Sequence, residues 1–501
     1  MTISNVVSSE REVTVVTASS REPDYKLLID GQEVAAAFGD TFETYDPATG
    51  QSLATLSRAT KTDVDAAVDA ARRAFESQWK LTSATERGRL LQAASRRILE
   101  LVEPLAELEA RDCGKPLRQA RSDVRTAARY LEFFGNAAAN LHGDQIPVSS
   151  KVIDFTVRQP FGVSAQINSW NFPINMAARS MGAALAAGNT VVVKTPELAP
   201  VTTAILGRIL TEVGFPAGVV NIIHGFGLEA GEALSQHADV DLITFTGSMS
   251  TGRRVAANGA NSLTPCVMEL GGKSPVVIFA DADLPKVARQ LANGFIEANG
   301  QSCDLPSLAL VHCDVHEQFL ELLLGHVRGF TIAPGIADPD VSALISKKQL
   351  QRVTEFVTGA TAEGAQIATG GQRATGPGLD EGWFYEPTVL TGVTPTMLVA
   401  REEIFGPVLS VLQFGNEDEA VTMANGTEYG LAAFVWTRDI GRGMRMSQRI
   451  GAGQVYVNCF SSGDSPMLPF GGFKNSGYGR EKGFAALQTY SQVKNVCIST
   501  D

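Results

Sequence analysis

The sequence predicts an α/β protein built on two parallel sheets, and three observations lead to this fold class. The chain has 501 residues, more than one compact core holds, so two or three domains are expected. Short apolar runs alternate with helical stretches at 162–167, 190–193, 219–223 and 242–245. A second set follows at 275–278, 308–311, 409–412 and 455–457. Strands separated by helices are joined by right-handed crossovers and pair in parallel.

The first third of the chain has helical periodicity instead. Thr62 is predicted to cap a first helix, and a second helix is predicted to run through 89–99. A third is predicted to end at Gly114, because glycine followed closely by Pro116 stops a helix. A fourth is predicted through 127–131. These four helices precede the first set of strands.

The composition narrows the classes of function. The formal net charge of −12 disfavours a nucleic-acid partner and, more weakly, an anionic membrane surface. The apolar runs are strand-sized, too short to span a bilayer. The six cysteines form no CxxC pair and resemble neither a zinc site nor a disulfide framework. We therefore expect no metal and reduced thiols in a cytoplasmic protein. No signal peptide is expected, and residues 1–24 are polar and predicted to be flexible.

Three residues carry the functional groups of covalent chemistry on a carbonyl. Cys303 follows Gly300 and two polar residues, which suggests a turn that exposes the thiol, although a lone cysteine is more often a buried apolar residue. Glu269, at a glycine turn, can act as a base on water or can be a solvated, helix-capping acid. Asn171 can donate to an oxyanion, but the residues alone favour a turn before Pro173.

Seven segments, taken in order, resemble the NAD(P)-dependent aldehyde dehydrogenase superfamily from about residue 27 to the C-terminus. They are SWNFP at 169–173, KTPE at 194–197, FTGS at 245–248, ELGGK at 269–273, GQSC at 300–303, EIFGP at 403–407, and PFGG at 469–472 with GRE at 479–481. Each motif alone is a weak signal, whereas their common order leaves little room for coincidence.

The resemblance implies an aldehyde dehydrogenase-like arrangement. A Rossmann-type NAD-binding domain is expected from 1–141 and 162–272, and a second α/β catalytic domain from 273–475. The segments 142–161 and 485–501 are expected to form a small bridging sheet that pairs with another subunit. A homodimer or homotetramer is therefore expected.

The resemblance also implies NAD-dependent oxidation of an aldehyde to its acid through a thioester on Cys303. Asn171 would be the oxyanion donor, and Glu269 would activate the hydrolytic water. Glu481 corresponds to a second carboxylate with a role in proton relay, although an exposed ion pair with Arg480 is an open alternative. Because coenzyme A-acylating relatives usually lack an acid at the position of Glu269, water is the expected acyl acceptor.

The cofactor contacts come from several of the same segments. Gly247 and Ser248 precede a helix whose N-terminal amides can hold a pyrophosphate, although a plain strand–turn–helix has the same pattern. The resemblance assigns Lys194 and Glu197 to the adenosine ribose, where a carboxylate repels a 2′-phosphate and favours NAD over NADP. It assigns the nicotinamide ribose and ring to Glu403 and Phe405. The other implied contacts are Ile167, Ser169, Trp170, Gly252 and Leu270.

Arg179 indicates the class of substrate. It lies eight positions after Asn171, about two helical turns, so both are expected to face one cleft. With Asn175 and Phe172 it is predicted to line the substrate site. In having an arginine at this position, the chain resembles relatives that act on short or carboxylated aldehydes. Arg179 can equally brace its helix through an internal ion pair. Glu297 stands where semialdehyde enzymes have a second arginine, which counts against succinate semialdehyde.

The segment after Cys303 departs from the family pattern. Asp304 places a negative charge beside the thiol, which should raise the thiol pKa, and Pro306 removes a backbone donor. Ser169 replaces the usual proline before Trp170. Two alternatives therefore stay open: a coenzyme A-acylating semialdehyde dehydrogenase, and a non-catalytic binding protein of the same fold.

Overall fold

The computed structural model of the protein describes residues 24–460 and 465–500. The predicted flexible segment 1–24 lies outside the described residues except for Asp24, which begins the first strand. The strands are β1 (Asp24–Tyr25), β2 (Leu27–Ile29), β3 (Gln32–Val34), β4 (Thr41–Tyr45), β5 (Ser52–Ser57), β6 (Gln145–Ser149), β7 (Val152–Pro160), β8 (Val163–Ile167), β9 (Thr190–Lys194), β10 (Val220–Ile223), β11 (Leu242–Thr246), β12 (Cys266–Glu269), β13 (Ser274–Ile278), β14 (Pro306–His312), β15 (Gln366–Thr369), β16 (Thr388–Thr391), β17 (Val408–Phe414), β18 (Ala432–Trp436), β19 (Gln454–Val457), β20 (Gly477–Tyr478) and β21 (Ser491–Ser499).

The α-helices have the following bounds. They are α1 (Lys61–Ser77), α2 (Ala84–Glu100), α3 (Val102–Cys113), α4 (Leu117–Ala137), α5 (Pro173–Ala187), α6 (Val201–Glu212), α7 (Glu232–Ser235), α8 (Met249–Ser262), α9 (Leu284–Phe295), α10 (His316–Val327), α11 (Lys347–Ala362), α12 (Leu398–Arg401), α13 (Glu417–Ala424), α14 (Ile440–Arg449) and α15 (Gly483–Thr489). Each of the four predicted N-terminal helices is present. In the described part of the chain, no helix combines the length and apolarity needed to cross a membrane.

The first sheet has the strand order β20-β12-β11-β8-β9-β10-β2-β3. Its central strands β12, β11, β8, β9 and β10 are parallel, while β20 and β2 join the two ends in antiparallel fashion. Strands β8, β9 and β11 are buried along their whole length, as expected for strands covered by helices on both faces. All four predicted strands between 162 and 245 are therefore confirmed.

The second sheet has the strand order β15-β16-β17-β14-β13-β18-β19. All neighbours from β16 to β19 are parallel, and β15 is an antiparallel edge strand. The four strands predicted between 275 and 457 are β13, β14, β17 and β19. The two parallel sheets confirm the predicted α/β class.

A third, antiparallel sheet has the order β21-β7-β6. It brings together the two segments that were expected to form a bridging sheet. Strand β21 pairs with β7 from Ser491 opposite Pro160 to Ser499 opposite Val152. A fourth sheet, β1-β5-β4, is small and lies in the N-terminal region.

The start of α1 corrects one prediction. The N-cap is Thr60, not Thr62, which lies in the first turn of the helix. Asp63 accepts hydrogen bonds from the Thr60 backbone N–H at 2.8 Å and from the Thr60 hydroxyl at 3.0 Å. Asp63, three residues after Thr60, completes a capping box with it. Thr60 is therefore the N-cap of α1 in place of Thr62. The end of α3 agrees with expectation, since Gly114 is left-handed with φ 73°.

Candidate active site

Two cavities meet at Cys303. The larger, of about 450 Å³, is lined by residues from the carboxyl ends of β11 and β12, the start of α8 and the segment 402–405. The smaller, of about 150 Å³, is lined by α4, α5 and the segments after Cys303 and Phe470. Cys303 and Met176 line both cavities. A group bound in either cavity therefore has access to the sulfur.

Hydrogen bonds to other segments of the chain hold the turn that carries Cys303. Ala298 and Asn299 have left-handed φ angles of 48° and 59°. The Asn299 side chain donates to the carbonyl of Gly114 at 2.9 Å and to that of Ala343 at 2.8 Å. These bonds offset the strain of a left-handed non-glycine residue. The predicted turn at Cys303 is confirmed, and side-chain hydrogen bonds to two other segments hold it.

The environment of Cys303 favours the neutral thiol in this state. Burial raises its pKa well above the ordinary value, Asp304 and Glu403 raise it further, and Arg179 opposes them. The predicted effect of Asp304 has the expected sign, but burial is the larger cause. The Asp304 carboxylate accepts a hydrogen bond from the Ser302 hydroxyl at 2.7 Å. Attack by the sulfur therefore requires a base or an added positive charge nearby.

Asn171 lies in the turn before α5, directly beside the Cys303 segment. Its Nδ2 donates to the carbonyl of Gln301 at 2.9 Å, and its Oδ1 accepts from the Ser169 hydroxyl. Lys115 donates to the Asn171 carbonyl at 2.8 Å and to Asp123 at 2.6 Å. One Nδ2 proton stays available, so the amide can still donate to a charge that forms on the side of the larger cavity.

Glu269 ends β12 and lines the larger cavity. Its side chain is 3% exposed, and neither carboxyl oxygen has a hydrogen-bond partner among residues 24–460 and 465–500. Burial raises its pKa well above the usual range, Glu481 raises it further, and Arg179 lowers it. A buried carboxyl without fixed partners is free to turn toward a water molecule or a reacting group.

Arg179 and Glu481 form a buried ion pair, with side chains 5% and 2% exposed. Burial lowers the pKa of Arg179, but Glu481 together with Tyr130, Glu269 and Cys303 outweighs burial, so the pKa lies above the ordinary value. The guanidinium also lies 5.3 Å from the Phe470 ring centroid. The alternative of an exposed pair between Glu481 and Arg480 is wrong, because Glu481 is buried and pairs with Arg179. Asn171 lines the larger cavity and Arg179 the smaller one, and the two cavities meet at Cys303.

This ion pair makes Arg179→Leu strongly destabilising. The variant leaves the Glu481 carboxylate buried without a counter-charge, which typically costs about 3–5 kcal/mol of the unfolding free energy. Urea unfolding measures this loss, and the double variant with Glu481→Leu should recover most of it. Arg89→Ala is the control, because its pair with Glu86 is exposed and should contribute less than about 1 kcal/mol. Equal stabilities of Arg179→Leu and wild type would contradict the prediction.

Seven of the predicted cofactor residues line the larger cavity. They are Ser169, Trp170, Gly247, Ser248, Leu270, Glu403 and Phe405. The other four, Ile167, Lys194, Glu197 and Gly252, do not line it. Lys194 ends β9 and is buried, and burial lowers its pKa to about 8 although Glu197 opposes this. Glu197 accepts a hydrogen bond from the Gly227 N–H at 3.0 Å.

The two ends of the larger cavity are built by turns. Ser248 caps α8 by accepting from the Thr251 N–H. Glu403 accepts from the Gly272 N–H at 3.0 Å, and burial raises its pKa to about 7 although this bond opposes the rise. Phe405 is left-handed, with φ 62°, and contacts Trp170 edge-on at 5.2 Å between ring centroids.

Several residues at the site were not predicted. Helix α11 supplies Gln349 and Arg352, which donate to the carbonyls of Phe405 at 2.7 Å and Glu403 at 2.6 Å. Lys115 was missed as well, although it follows the glycine that ends α3. No local pattern marks such residues, because their contacts join segments far apart in the chain. The substrate residues Phe172, Asn175 and Arg179 do line the smaller cavity, as predicted.

Comparison with known proteins agrees with this geometry. The family model described as "Aldehyde dehydrogenase family" matches residues 34–496. An aldehyde dehydrogenase of Aspergillus niger is 39% identical over 486 residues, covering 97% of this chain and 97% of the relative. A mitochondrial aldehyde dehydrogenase of Arabidopsis thaliana is 40% identical over 496 residues, covering 98% of this chain and 91% of the relative.

Solved structures match over the same length. The NAD⁺ complex of a Bacillus cereus aldehyde dehydrogenase has a TM-score of 0.93 and 39% identity, covering 96% of this chain and 97% of that one. A Staphylococcus aureus betaine aldehyde dehydrogenase, solved with NAD⁺, has a TM-score of 0.93 and 36% identity, covering 95% of each chain. With its sequence matched almost throughout and its fold shared, the chain belongs to the aldehyde dehydrogenase family.

Proposed function

We propose that this protein oxidises an aldehyde to the carboxylate with NAD, through a thioester on Cys303. The observation that carries the proposal is the junction of the two cavities at Cys303, with Asn171 and Glu269 in the wall of the larger one. A nucleophile, an oxyanion donor and a base thus surround one point.

The larger cavity fits the cofactor. The free end of α8, with Gly247 and the Ser248 cap, supplies backbone N–H groups suited to a pyrophosphate. The Glu403 carboxylate keeps a free oxygen in the same cavity, suited to ribose hydroxyls, and Phe405 offers a ring face. Bound there, NAD accepts the hydride released by the oxidation. The Glu197 carboxylate disfavours a 2′-phosphate, so we assign NAD rather than NADP.

Cys303 forms the covalent bond. Its thiol gives a proton to water in the cavity, and the sulfur attacks the carbonyl carbon, forming a C–S bond and an oxyanion. The second Nδ2 proton of Asn171 and the Cys303 backbone N–H are the donors we assign to that oxyanion. Loss of hydride from the same carbon leaves the acyl group on Cys303 as a thioester.

Glu269 completes the turnover. Its carboxylate takes a proton from a water molecule, whose oxygen attacks the thioester carbon. The C–S bond breaks, the carboxylic acid is released, and the thiol of Cys303 is restored. The absence of hydrogen-bond partners for the Glu269 oxygens in the described part of the chain supports this role.

We expect Asn171→Ala to reduce kcat by about 100- to 1,000-fold, because one oxyanion donor is lost. Stopped-flow NADH absorbance at saturating aldehyde measures the effect. The control is Asn175→Ala, since Asn175 lines only the smaller cavity and should change KM more than kcat. A change of less than threefold in kcat for Asn171→Ala would remove the amide from the mechanism.

The acyl acceptor is tested directly. A panel of aldehydes that differ in length, charge and aromaticity is incubated with NAD, with and without coenzyme A, and the products are identified. We expect the free carboxylate in both cases. An acyl-coenzyme A product would establish the acylating alternative, and the lack of NADH with every aldehyde would favour the non-catalytic one.

The smaller cavity indicates the size of the substrate. A volume of about 150 Å³ suits a short aldehyde, and its wall carries charged and amide side chains as well as aromatic rings. We therefore propose a short polar or carboxylated semialdehyde. The ion pair with Glu481 argues against Arg179 as the group that binds a substrate carboxylate.

We also propose the domain roles. The first sheet would belong to the cofactor domain and the second to the catalytic domain. The third sheet exposes the apolar side chains of Ile146, Val148, Ile153, Val493 and Ile498, which suits pairing with another copy in a homodimer or homotetramer. A cytoplasmic location fits six free cysteines.

A further inference from the structure

Among residues 24–460 and 465–500, the smaller cavity is lined by one cation that has no ion-pair partner. Its ionisable side chains are Asp123, Tyr130, Arg179, Glu297, Asp304 and Lys482. Lys115 forms an ion pair with Asp123 at 2.6 Å, and Glu481 pairs with Arg179. Asp304 accepts a hydrogen bond from Ser302. Lys482 therefore stands out as the cation available to a ligand.

The ammonium of Lys482 is surrounded by rings. Its Nζ lies 4.6 Å from the Phe470 ring centroid and 5.8 Å from that of Tyr130. Within residues 24–460 and 465–500, no carboxylate lies within ion-pair distance of it. Burial lowers the Lys482 pKa, but the neighbouring Tyr130 and Asp304 outweigh burial and raise it above the ordinary value. The side chain thus carries its charge at neutral pH while already partly desolvated.

The same rings argue against a cationic substrate. An aromatic wall can bind an ammonium group through the ring faces. Here Lys482 lies over Phe470 and Tyr130, and Lys115 lies over Phe172 at 4.5 Å. An incoming cation would find these three rings already in contact with the protein's own lysines, and it would be repelled by Lys482. The acids Glu297 and Asp304 act in the opposite direction, so an amino aldehyde is included in the test.

We propose that Lys482 binds the carboxylate at the far end of a short aldehyde substrate whose carbonyl lies at Cys303. This inference rests on the proposed function and names the substrate class. An anion at Lys482 gains a charge-assisted hydrogen bond to an ammonium that has already lost part of its hydration. The sequence suggested Arg179 as the ligand of a substrate carboxylate. We assign this role instead to Lys482, about three hundred positions further along the chain.

The test compares two aldehydes of similar length, one with a terminal carboxylate and one without charge. We expect Lys482→Met to lower the ratio of their kcat/KM values by about ten- to a hundredfold, mainly through KM of the carboxylated aldehyde. The ratio cancels any effect on the chemical step common to both. Lys482→Arg keeps the charge and should retain the ratio within about threefold. Lys286→Met is the matched control, because Lys286 lies over Trp436 at 5.6 Å and lines neither cavity.

A second readout needs no turnover. A short dicarboxylate should slow the alkylation of Cys303 by iodoacetamide in the wild type and protect Lys482→Met at least about tenfold less well. An unchanged kcat/KM ratio together with equal protection overturns the anion site. A wild type that prefers an amino aldehyde to the carboxylated one also overturns it. If the wild type forms no NADH with any aldehyde, the proposed function fails, whereas the protection experiment still decides the role of Lys482.

Discussion

Replacement of Cys303 by alanine is expected to abolish NADH formation. The sulfur is the protein atom assigned to bond with the substrate carbon, and it lies where both cavities meet. Removal of a nucleophile typically lowers kcat by more than about 10³-fold. NADH absorbance with the best aldehyde of the panel measures the loss. Cofactor binding should persist, and quenching of the fluorescence of Trp170, which lines the larger cavity, provides its readout.

The control for this variant is Cys313→Ala. Cys313 is exposed and lines neither cavity, so its replacement should leave kcat unchanged. Equal rates for Cys303→Ala and wild type would remove the thiol from the mechanism. A variant that no longer binds NAD would instead point to a local collapse, which the fluorescence titration detects.

Glu269→Gln is expected to stop the reaction after the first hydride transfer. The amide cannot take a proton from water, so the thioester should accumulate and steady-state kcat should fall by about 10²- to 10⁴-fold. Rapid mixing should show a burst of up to one NADH per subunit, and intact-protein mass spectrometry should detect the acyl group on Cys303. Glu229→Gln serves as the control, because its side chain is 41% exposed and pairs with Arg58 at the surface.

The pH dependence follows from the same carboxyl group. Because burial and the nearby Glu481 raise the Glu269 pKa, the base is mostly protonated until the pH exceeds its raised value. Hydrolysis in the wild type should therefore become faster with rising pH, and this rise should vanish in Glu269→Gln. Stability changes with pH in the opposite direction. The contribution of Glu269 to the free energy of unfolding is fully present below the pKa that this residue has in the unfolded chain, and it is lost as the pH rises through the pKa in the folded protein. A hydrolysis rate in the wild type that does not change with pH would contradict the first expectation. A Glu269 contribution to the free energy of unfolding that does not fall over the same pH range would contradict the second.

The local features of the site were accessible from the sequence. Cys303 lies on the predicted turn, and Gly247 and Ser248 precede a helix as predicted, because both features depend on a few neighbouring residues. Strand β12, which ends at Glu269, was not predicted. The N-cap of α1 was misplaced by two residues, although Asp63 already marked Thr60 as the partner in a capping box.

The features that sequence reasoning missed depend on contacts between distant segments. Arg179 was weighed as a substrate ligand or a brace, and only the fold shows that Glu481 lies against it. Lys115, which holds the Asn171 carbonyl, belongs to a different helix end. Such pairs produce no periodic pattern in the sequence, because each partner alone is a charged residue of the kind common on protein surfaces.

Strand β20 has a consequence for how the protein reaches its native state. It covers the edge of β12, with Gly477 opposite Glu269, and the Ser476 hydroxyl donates to the Gly271 carbonyl at 2.7 Å across 205 residues. A contact between residues this far apart in the sequence forms slowly, because the chain loses loop-closure entropy before the strand pairing compensates for that loss. During synthesis on the ribosome, the strand that ends at Glu269 thus stays an open edge until nearly the whole polypeptide has emerged. The catalytic apparatus is therefore assembled late, after the two parallel cores have had time to form.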